Sequence, residues 1–124
     1  MNGNNYLLDT CFILGIYNGD EHALSLMQNI SLKQCSVSVI TYMELLGYHG
    51  ISPQDEKELT QFLSLVKCID ISQDIKHTTI QLRKRHKIKL PDCIVLATAL
   101  VDDLQLLTVD NGLKNKFLKE TNNF

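Results

Sequence analysis

Four carboxylates in this sequence stand where a negative charge is costly or where a strand is about to end. Asp92 precedes the almost wholly apolar run CIVLATAL, and a carboxylate beside a buried segment costs free energy unless its charge is compensated. Asp9 and Asp110 each follow a short apolar run, and Glu44 lies among apolar residues. Carboxylates that converge must share protons or bind cations, and oxygen ligands select hard ions such as Mg²⁺ or Mn²⁺. Such a site would serve metal-assisted hydrolysis of a phosphodiester bond.

Each acid also has a simpler interpretation when it is taken alone. Asp9 is well placed to cap the helix that follows it. Asp92 would interact favourably with a helix dipole, and Asp110 before Asn-Gly is typical of a turn. Glu44 is harder to explain in this way, because a solvated helix face would not be surrounded by apolar side chains. The four together favour a shared site, because independent caps have no reason to lie at one edge of a sheet.

The elements that would position these acids alternate along the whole chain. Strands are predicted over 6–9, 35–39, 66–71 and 104–110, and helices over 11–19, 20–30, 40–50, 52–65, 72–86, 91–103 and 111–120. Alternating strands and helices without a proline- or glycine-rich linker predict one α/β domain over 1–124, with a mainly parallel sheet and helices on both faces.

This architecture predicts that the four acids converge. Asp9 and Asp110 end the first and fourth predicted strands, Asp92 begins a helix, and Glu44 lies about one turn into the helix after the second strand. Right-handed crossovers bring these points to the same sheet edge. Sites in open α/β sheets form in the crevice beyond the carboxyl ends of the strands.

Composition and cysteine spacing limit the protein class. With 124 residues, 44% of them hydrophobic and 21% charged, the chain fits one globular domain. The cysteines contain no CxxC pair, so neither a zinc site nor a disulfide framework is indicated. Residues 1–5 do not resemble a signal peptide, and the apolar runs are too short to cross a bilayer. We therefore expect a cytoplasmic protein with reduced thiols and no membrane association.

A basic segment precedes Asp92, although the net charge of −2 gives no global indication of nucleic-acid binding. Cations near a helix C-terminus are usually solvated and interact with the dipole. Clustered Lys and Arg are also the electrostatic footprint of phosphate binding. The candidates for such binding are Arg83, Arg85, Lys87 and Lys89. For Lys114, Lys116 and Lys119, which follow Asp110, a solvated helix face is the simpler interpretation.

The order and spacing of four stretches resemble the signature of PIN-domain nucleases, especially the VapC-type toxins of bacterial toxin–antitoxin pairs. These stretches are YLLDTCFIL, SVITYMELLGYHG, LPDCIVLATAL and LLTVDNGLK. The resemblance covers nearly the whole chain. It implies a PIN-like three-layer α/β/α domain with a mainly parallel central sheet of four or five strands.

The resemblance also implies roles for individual residues. The implied catalytic and metal-binding residues are Asp9, Glu44, Asp92 and Asp110, with Mg²⁺ or Mn²⁺ as the ion. Thr10 and Thr108 match hydroxyl positions that support such a site. Cys11 departs from the family, which usually has Asn or Ser at this position. A thiol forms only weak hydrogen bonds and is a soft metal ligand, so Cys11 affects the strength and the metal preference expected of the site.

The implied activity is that of an endoribonuclease, with transfer RNA among the candidate substrates. The family also implies a homodimer and an antitoxin whose tail covers the active site. The alternative is a PIN-like module that binds RNA or protein but has lost turnover. A phosphate-accepting signalling domain fits less well, because paired acids after the first strand are missing.

Overall fold

A computed structural model describes residues 5–122 of the chain. Within this range the strands are β1 (Tyr6–Leu8), β2 (Cys35–Ser38), β3 (Lys67–Ile69) and β4 (Gln105–Leu107). The helices are α1 (Thr10–Tyr17), α2 (Glu21–Leu26), α3 (Val39–Leu46), α4 (Pro53–Leu63), α5 (Gln73–Arg85), α6 (Leu90–Val101) and α7 (Asn111–Thr121). One turn of 3₁₀ helix, Leu32–Gln34, precedes β2.

The four strands form one parallel sheet in the order β3-β2-β1-β4. The chain moves outward from β1 through β2 to β3, and then crosses back to place β4 on the free side of β1. The winding direction therefore reverses between β1 and β4. In open α/β sheets the crevice at such a switch point is the usual place for a ligand site.

Both faces of the sheet are covered, which explains why the central strand β1 is apolar on both sides. Leu7 and Leu8 are neighbours in β1, point to opposite faces and are both 0% exposed. Leu7 belongs to a core with residues of α5, α6 and α7, whereas Leu8 belongs to a core with residues of α1, α2, α3 and α4. The predicted three-layer α/β/α architecture with a parallel sheet is confirmed.

The prediction that the helix after β2 continues to Gly50 is wrong. Helix α3 ends at Leu46, and Gly47 caps it by donating its N–H to the carbonyl oxygen of Met43. A Cβ atom at Gly47 would lie 2.7 Å from that oxygen, so only glycine fits this close approach. Gly50 has a φ of +87° and belongs to the turn that follows.

Several other boundaries differ from the prediction by one to four residues, and the fourth strand ends at Leu107 instead of at 110. The second strand ends at Ser38 instead of at 39, because the Ser38 side chain accepts a hydrogen bond from the N–H of Ile40 and starts α3. Helix α2 ends at Leu26 and does not reach 30, and Asn29 adopts a left-handed conformation with a φ of 68°. Among the described helices, none has the length and apolar character needed to span a membrane.

Candidate functional site

Asp9 lies at the carboxyl end of β1 and is buried, with 5% of its surface exposed. It caps α1, because its Oδ1 accepts a hydrogen bond of 2.8 Å from the N–H of Phe12. The Cys11 thiol lies 3.4 Å from each carboxylate oxygen of Asp9 and donates to them. Burial raises the pKa of Asp9 above its usual value, and hydrogen bonding from Thr108, Phe12 and Cys11 offsets only part of this effect. The nearby charge of Asp92 raises it further.

Asp110 follows β4, the strand next to β1. The backbone joins the two strand ends, since the N–H of Asp9 donates to the carbonyl oxygen of Leu107. Asp110 is also the N-cap of α7, accepting hydrogen bonds at Oδ1 from the N–H groups of Gly112 and Leu113. The Thr108 hydroxyl accepts from the N–H of Asp110 at 3.0 Å and lies 3.6 Å from the Cys11 thiol, so it contacts both strand ends.

Glu44 reaches the same edge from α3. The Thr10 hydroxyl donates a hydrogen bond of 2.7 Å to Glu44 Oε1. It also lies 3.4 Å from the hydroxyl of the buried Thr41. Thr10 is the residue after Asp9, so this contact ties Glu44 directly to the end of β1.

Glu44 is exposed, although its apolar neighbours in the sequence argued against a solvated helix face. Helix α3 buries Thr41 and Leu45, which are four residues apart and define its inward face. The apolar residues on its other side are exposed, with exposed fractions of 37% for Tyr42, 52% for Met43 and 41% for Tyr48 just beyond the helix. The apolar surroundings of Glu44 in sequence therefore correspond to an open surface beside the site.

Asp92 lies in the first turn of α6. Its pKa is affected by two of the other acids. Burial raises its pKa, the negative charges of Asp110 and Glu44 raise it further, and Lys89 and Lys116 lower it. Within residues 5–122 no group donates a hydrogen bond to its side chain. Asp92 is thus half-buried among like charges: Asp110 and Glu44 lie near enough to raise its pKa, and Asp92 in turn raises the pKa of Asp9.

The donor chemistry of this cluster fits a hard dication. Oxygen ligands are what Mg²⁺ and Mn²⁺ prefer, and an unpartnered carboxylate among like charges would be stabilised by such an ion. In the part of the chain that the structure describes, no three His, Cys, Asp or Glu side chains are close enough together to hold a metal ion. The side chains would therefore have to move together on binding, which like-charged groups resist until a cation is present.

The predicted basic residues separate into two groups. Lys87 and Lys89 line a cleft of about 240 Å³ that also contains Asp92 and Asp110, and Arg83 lines the next cleft along the surface. Arg85 does not, because it forms an ion pair with Glu120, with 2.8 Å between Nη2 and Oε1. Its inclusion among phosphate-binding candidates has no support in the geometry.

Sequence reasoning missed two features near this cleft. Lys116, for which a solvated helix face was expected, lines the cleft beside Asp92 and Asp110. The helical spacing could have indicated this position for Lys116, because Lys116 lies one turn after Gly112 on the same face of α7. Glu120, which is 7% exposed and bonded to Arg85 and His86, had no such signal, because its partners come from a different helix.

Comparisons with known proteins identify chains that are similar to this one. The sequence matches the family profile of the PIN domain over residues 6–116. No curated protein sequence gives a significant match. A solved toxin–antitoxin complex from Klebsiella pneumoniae contains a similar chain, with 33% identity, a TM-score of 0.73, and coverage of 86% of this chain and 87% of that one.

Two further solved structures show the same fold at lower sequence identity. FitAcB from Neisseria gonorrhoeae has 21% identity and a TM-score of 0.74, covering 90% of this chain and 92% of that one. VapBC2 from Rickettsia felis, bound to a promoter DNA fragment, has 21% identity and a TM-score of 0.73, covering 89% and 91%. The resemblance to VapC-type PIN domains is confirmed.

Proposed function

Because the chain belongs to the PIN-domain family, we propose that it is a metal-dependent endoribonuclease and the toxin of a toxin–antitoxin pair. The observation that carries this proposal is that three carboxylates, Asp9, Glu44 and Asp110, lie near a half-buried, unpartnered Asp92 at the switch point of a parallel sheet. The proposed catalytic and metal-binding residues are Asp9, Glu44, Asp92 and Asp110.

The side chains have distinct tasks in this mechanism. Asp9, Glu44, Asp92 and Asp110 would hold Mg²⁺ or Mn²⁺, and one of these four carboxylates would accept the proton of the attacking water. Thr10 orients Glu44 through its hydrogen bond of 2.7 Å, and Cys11 contacts both oxygens of Asp9. A bound dication would supply positive charge that stabilises the phosphate oxygens during hydrolysis. The products would carry a 5′ phosphate and a 3′ hydroxyl.

The proposed partners are a cognate antitoxin and a second copy of the chain in a homodimer. The similar solved chain from Klebsiella pneumoniae is part of a toxin–antitoxin complex, which supports the antitoxin. The exposed side chains of Tyr42, Met43 and Tyr48 lie beside the site, and large exposed apolar groups of this kind favour a protein contact. The proposed location is the cytoplasm, in keeping with four cysteines that form no disulfide.

The test is cleavage of a total tRNA pool by purified protein freed from any antitoxin, with Mg²⁺, with Mn²⁺ and with EDTA. The matched variants are Asp92→Asn and Asp102→Asn, which remove one charge at opposite ends of α6. We expect cleavage that requires the metal, is abolished by Asp92→Asn and survives Asp102→Asn. Cleavage that survives Asp92→Asn would contradict the four-carboxylate site.

A binding module without turnover is the second candidate. It is favoured by one observation, that no three candidate ligands among the described residues are close enough to hold an ion. Folded protein that binds RNA but does not cut it under either metal would establish this alternative, because both candidates bind RNA and only one turns it over.

A further inference from the structure

The thiol of Cys11 lies beside the candidate metal site and contacts oxygen atoms from two strand ends. Its Sγ lies 3.4 Å from Oδ1 and 3.4 Å from Oδ2 of Asp9, and 3.6 Å from Oγ1 of Thr108. Cys11 is exposed, whereas Cys35 and Cys93 are buried. A sulfur atom and carboxylate oxygens therefore lie together at a place that solvent and ions can reach.

Asp9 gives an independent indication that a cation binds here. It is only 5% exposed, but among residues 5–122 the ion pairs are those of Glu120 with Arg85 and with His86. No cationic side chain in that range therefore forms an ion pair with the Asp9 carboxylate. A buried carboxylate costs free energy unless its charge is compensated, and a dication from solution would compensate it.

The spacing of these atoms fits an ion that accepts one sulfur ligand. Zinc binds sulfur at about 2.3 Å and oxygen at about 2.0–2.2 Å, and a tetrahedral angle then places the two ligand atoms roughly 3.5–3.7 Å apart. The separations of 3.4 Å from Cys11 to Asp9 and 3.6 Å from Cys11 to Thr108 agree with this within a few tenths of an ångström. Mg²⁺ is octahedral and hard, and its neighbouring ligand atoms are oxygens roughly 2.9 Å apart. The pair of Cys11 and Asp9 therefore discriminates between the two kinds of ion.

A site of this kind does not need a second cysteine. Zinc also accepts carboxylates, and water completes the tetrahedron in sites that remain open. Within residues 5–122 no three candidate ligands are already close enough to hold an ion, so Cys11 and Asp9 are the preformed part of the site. Asp92 lies near enough to raise the pKa of Asp9, so a further carboxylate is available nearby.

We propose that Cys11 and Asp9 bind a borderline-soft dication such as Zn²⁺, through Sγ and a carboxylate oxygen, and that Cys11 thereby determines which metal ions the site prefers. The proposal rests on the proposed metal site and adds to it a ligand for softer ions. On binding, the S–H proton passes to solvent and the sulfur bonds to the ion in its place. Because Asp9 is shared, Zn²⁺ bound in this way excludes Mg²⁺ or Mn²⁺ from Asp9 and blocks RNA cleavage.

The test uses Cd²⁺, a soft ion that gives an ultraviolet charge-transfer band when a thiolate is bound to it. One equivalent of Cd²⁺ is added to the reduced, metal-free protein and to the variants Cys11→Ser and Cys68→Ser. Cys68 is the matched control, because it is also exposed and is also two residues from a carboxylate, that of Asp70. We expect the band in the parent protein and in Cys68→Ser, and its loss in Cys11→Ser.

The affinity for Zn²⁺ is measured by competition with a chromophoric chelator. Cys11→Ser should weaken it by roughly tenfold or more, since changes even to groups around metal ligands cost about 10–100-fold. Cys68→Ser should leave it unchanged. Circular dichroism checks that each variant is folded, and Cys11→Ala provides a second substitution that also removes the sulfur.

A band that persists in Cys11→Ser and Cys11→Ala would overturn the proposal, and so would equal losses in the Cys11 and Cys68 variants. RNA cleavage with Mg²⁺ or Mn²⁺ is measured separately on the parent protein. Cleavage without a Cd²⁺ band would contradict the role of Cys11 and leave the nuclease intact. A band that depends on Cys11 in a protein that does not cut RNA would support the sulfur ligand and contradict the nuclease.

Discussion

At the level of single residues, structural and chemical roles coincide. Asp9 and Asp110 are both N-caps of helices, and both are candidate ligands. The cap explains the residue type at each position but not the burial of Asp9, which a cap does not require. An ionised carboxylate at 5% exposure beside another negative charge destabilises the fold, so stability and the proposed function conflict at this position.

This conflict predicts that Asp9→Asn stabilises the protein in EDTA at neutral pH while abolishing RNA cleavage. The amide keeps the acceptor for the N–H of Phe12 and removes the buried charge. The expected gain in the free energy of unfolding is about 1 kcal/mol, the usual scale for a single change at a buried position. Urea unfolding monitored by circular dichroism measures it.

Asp20→Asn serves as the control, because Asp20 caps α2 by the same kind of hydrogen bond, to the N–H of Ala23, and is exposed. Its effect should stay within about 0.5 kcal/mol. A loss of stability in Asp9→Asn would contradict this prediction. It would show that favourable interactions of the Asp9 carboxylate outweigh the cost of burying its charge.

At the level of elements, one buried carboxylate joins the C-terminal turn of α5 to α7. Glu120 receives hydrogen bonds from Arg85 and lies 2.6 Å from Nε2 of His86, and the side chains of Glu120 and His86 are each 9% exposed. Burial raises the pKa of Glu120, but the hydrogen bonds and charges of Arg85 and His86 outweigh burial, so that the pKa lies below its ordinary value of 4.5. This contact holds the loop that carries Lys87 and Lys89 against α7.

Glu120→Gln should lower the free energy of unfolding at neutral pH by about 2 kcal/mol, within the range for hydrogen bonds to charged groups. A carboxylate with a lowered folded-state pKa contributes stability that is present above 4.5 and is lost as the pH falls through the lowered value. The difference in the free energy of unfolding between the parent protein and the variant should therefore decrease as the pH falls below 4.5. Urea unfolding at a series of pH values measures both effects.

Glu56→Gln is the matched control for this series, since Glu56 is an exposed residue of α4. It should change stability little and leave the pH dependence as in the parent protein. A Glu120→Gln variant with the pH dependence of the parent would mean that Glu120 does not contribute through its charge.

At the level of the whole molecule, charge is distributed unevenly around a net value of only −2. Asp110 and Glu44 lie near Asp92 at one sheet edge, and Lys87, Lys89 and Lys116 line the cleft that contains Asp92 and Asp110. Addition of Mg²⁺ or Mn²⁺ should therefore raise the unfolding temperature, because an ion that binds the folded state at a hundredfold excess over Kd stabilises it by about 2.7 kcal/mol. Differential scanning calorimetry against metal concentration measures the shift.

The thermal shift should be much smaller in Asp92→Asn and unchanged in Asp102→Asn. NaCl at matched ionic strength should not reproduce it, because screening weakens the repulsion without supplying a ligand. An equal shift in both variants would place the bound ion away from Asp92.

Much of the fold could be predicted from local patterns. Short apolar strands, N-capping residues such as Ser52 before Pro53, and apolar helical faces are encoded within a few residues, so the alternation of elements and the three-layer architecture were recognised correctly. The parallel topology also predicts that the four acids approach one another, because the carboxyl ends of parallel strands meet at one edge. The sequence by itself determined the class of fold and the sheet edge at which the acids are expected.

Tertiary packing decided the rest. Which face of α3 is covered, whether Lys116 borders the acids and whether Arg85 is free all depend on contacts between elements far apart in the chain. Arg85 and Glu120 are 35 residues apart, and no local pattern records their pairing. Short-range patterns fix the type and ends of an element, whereas the orientation of its faces depends on how all the elements bury their apolar surface together.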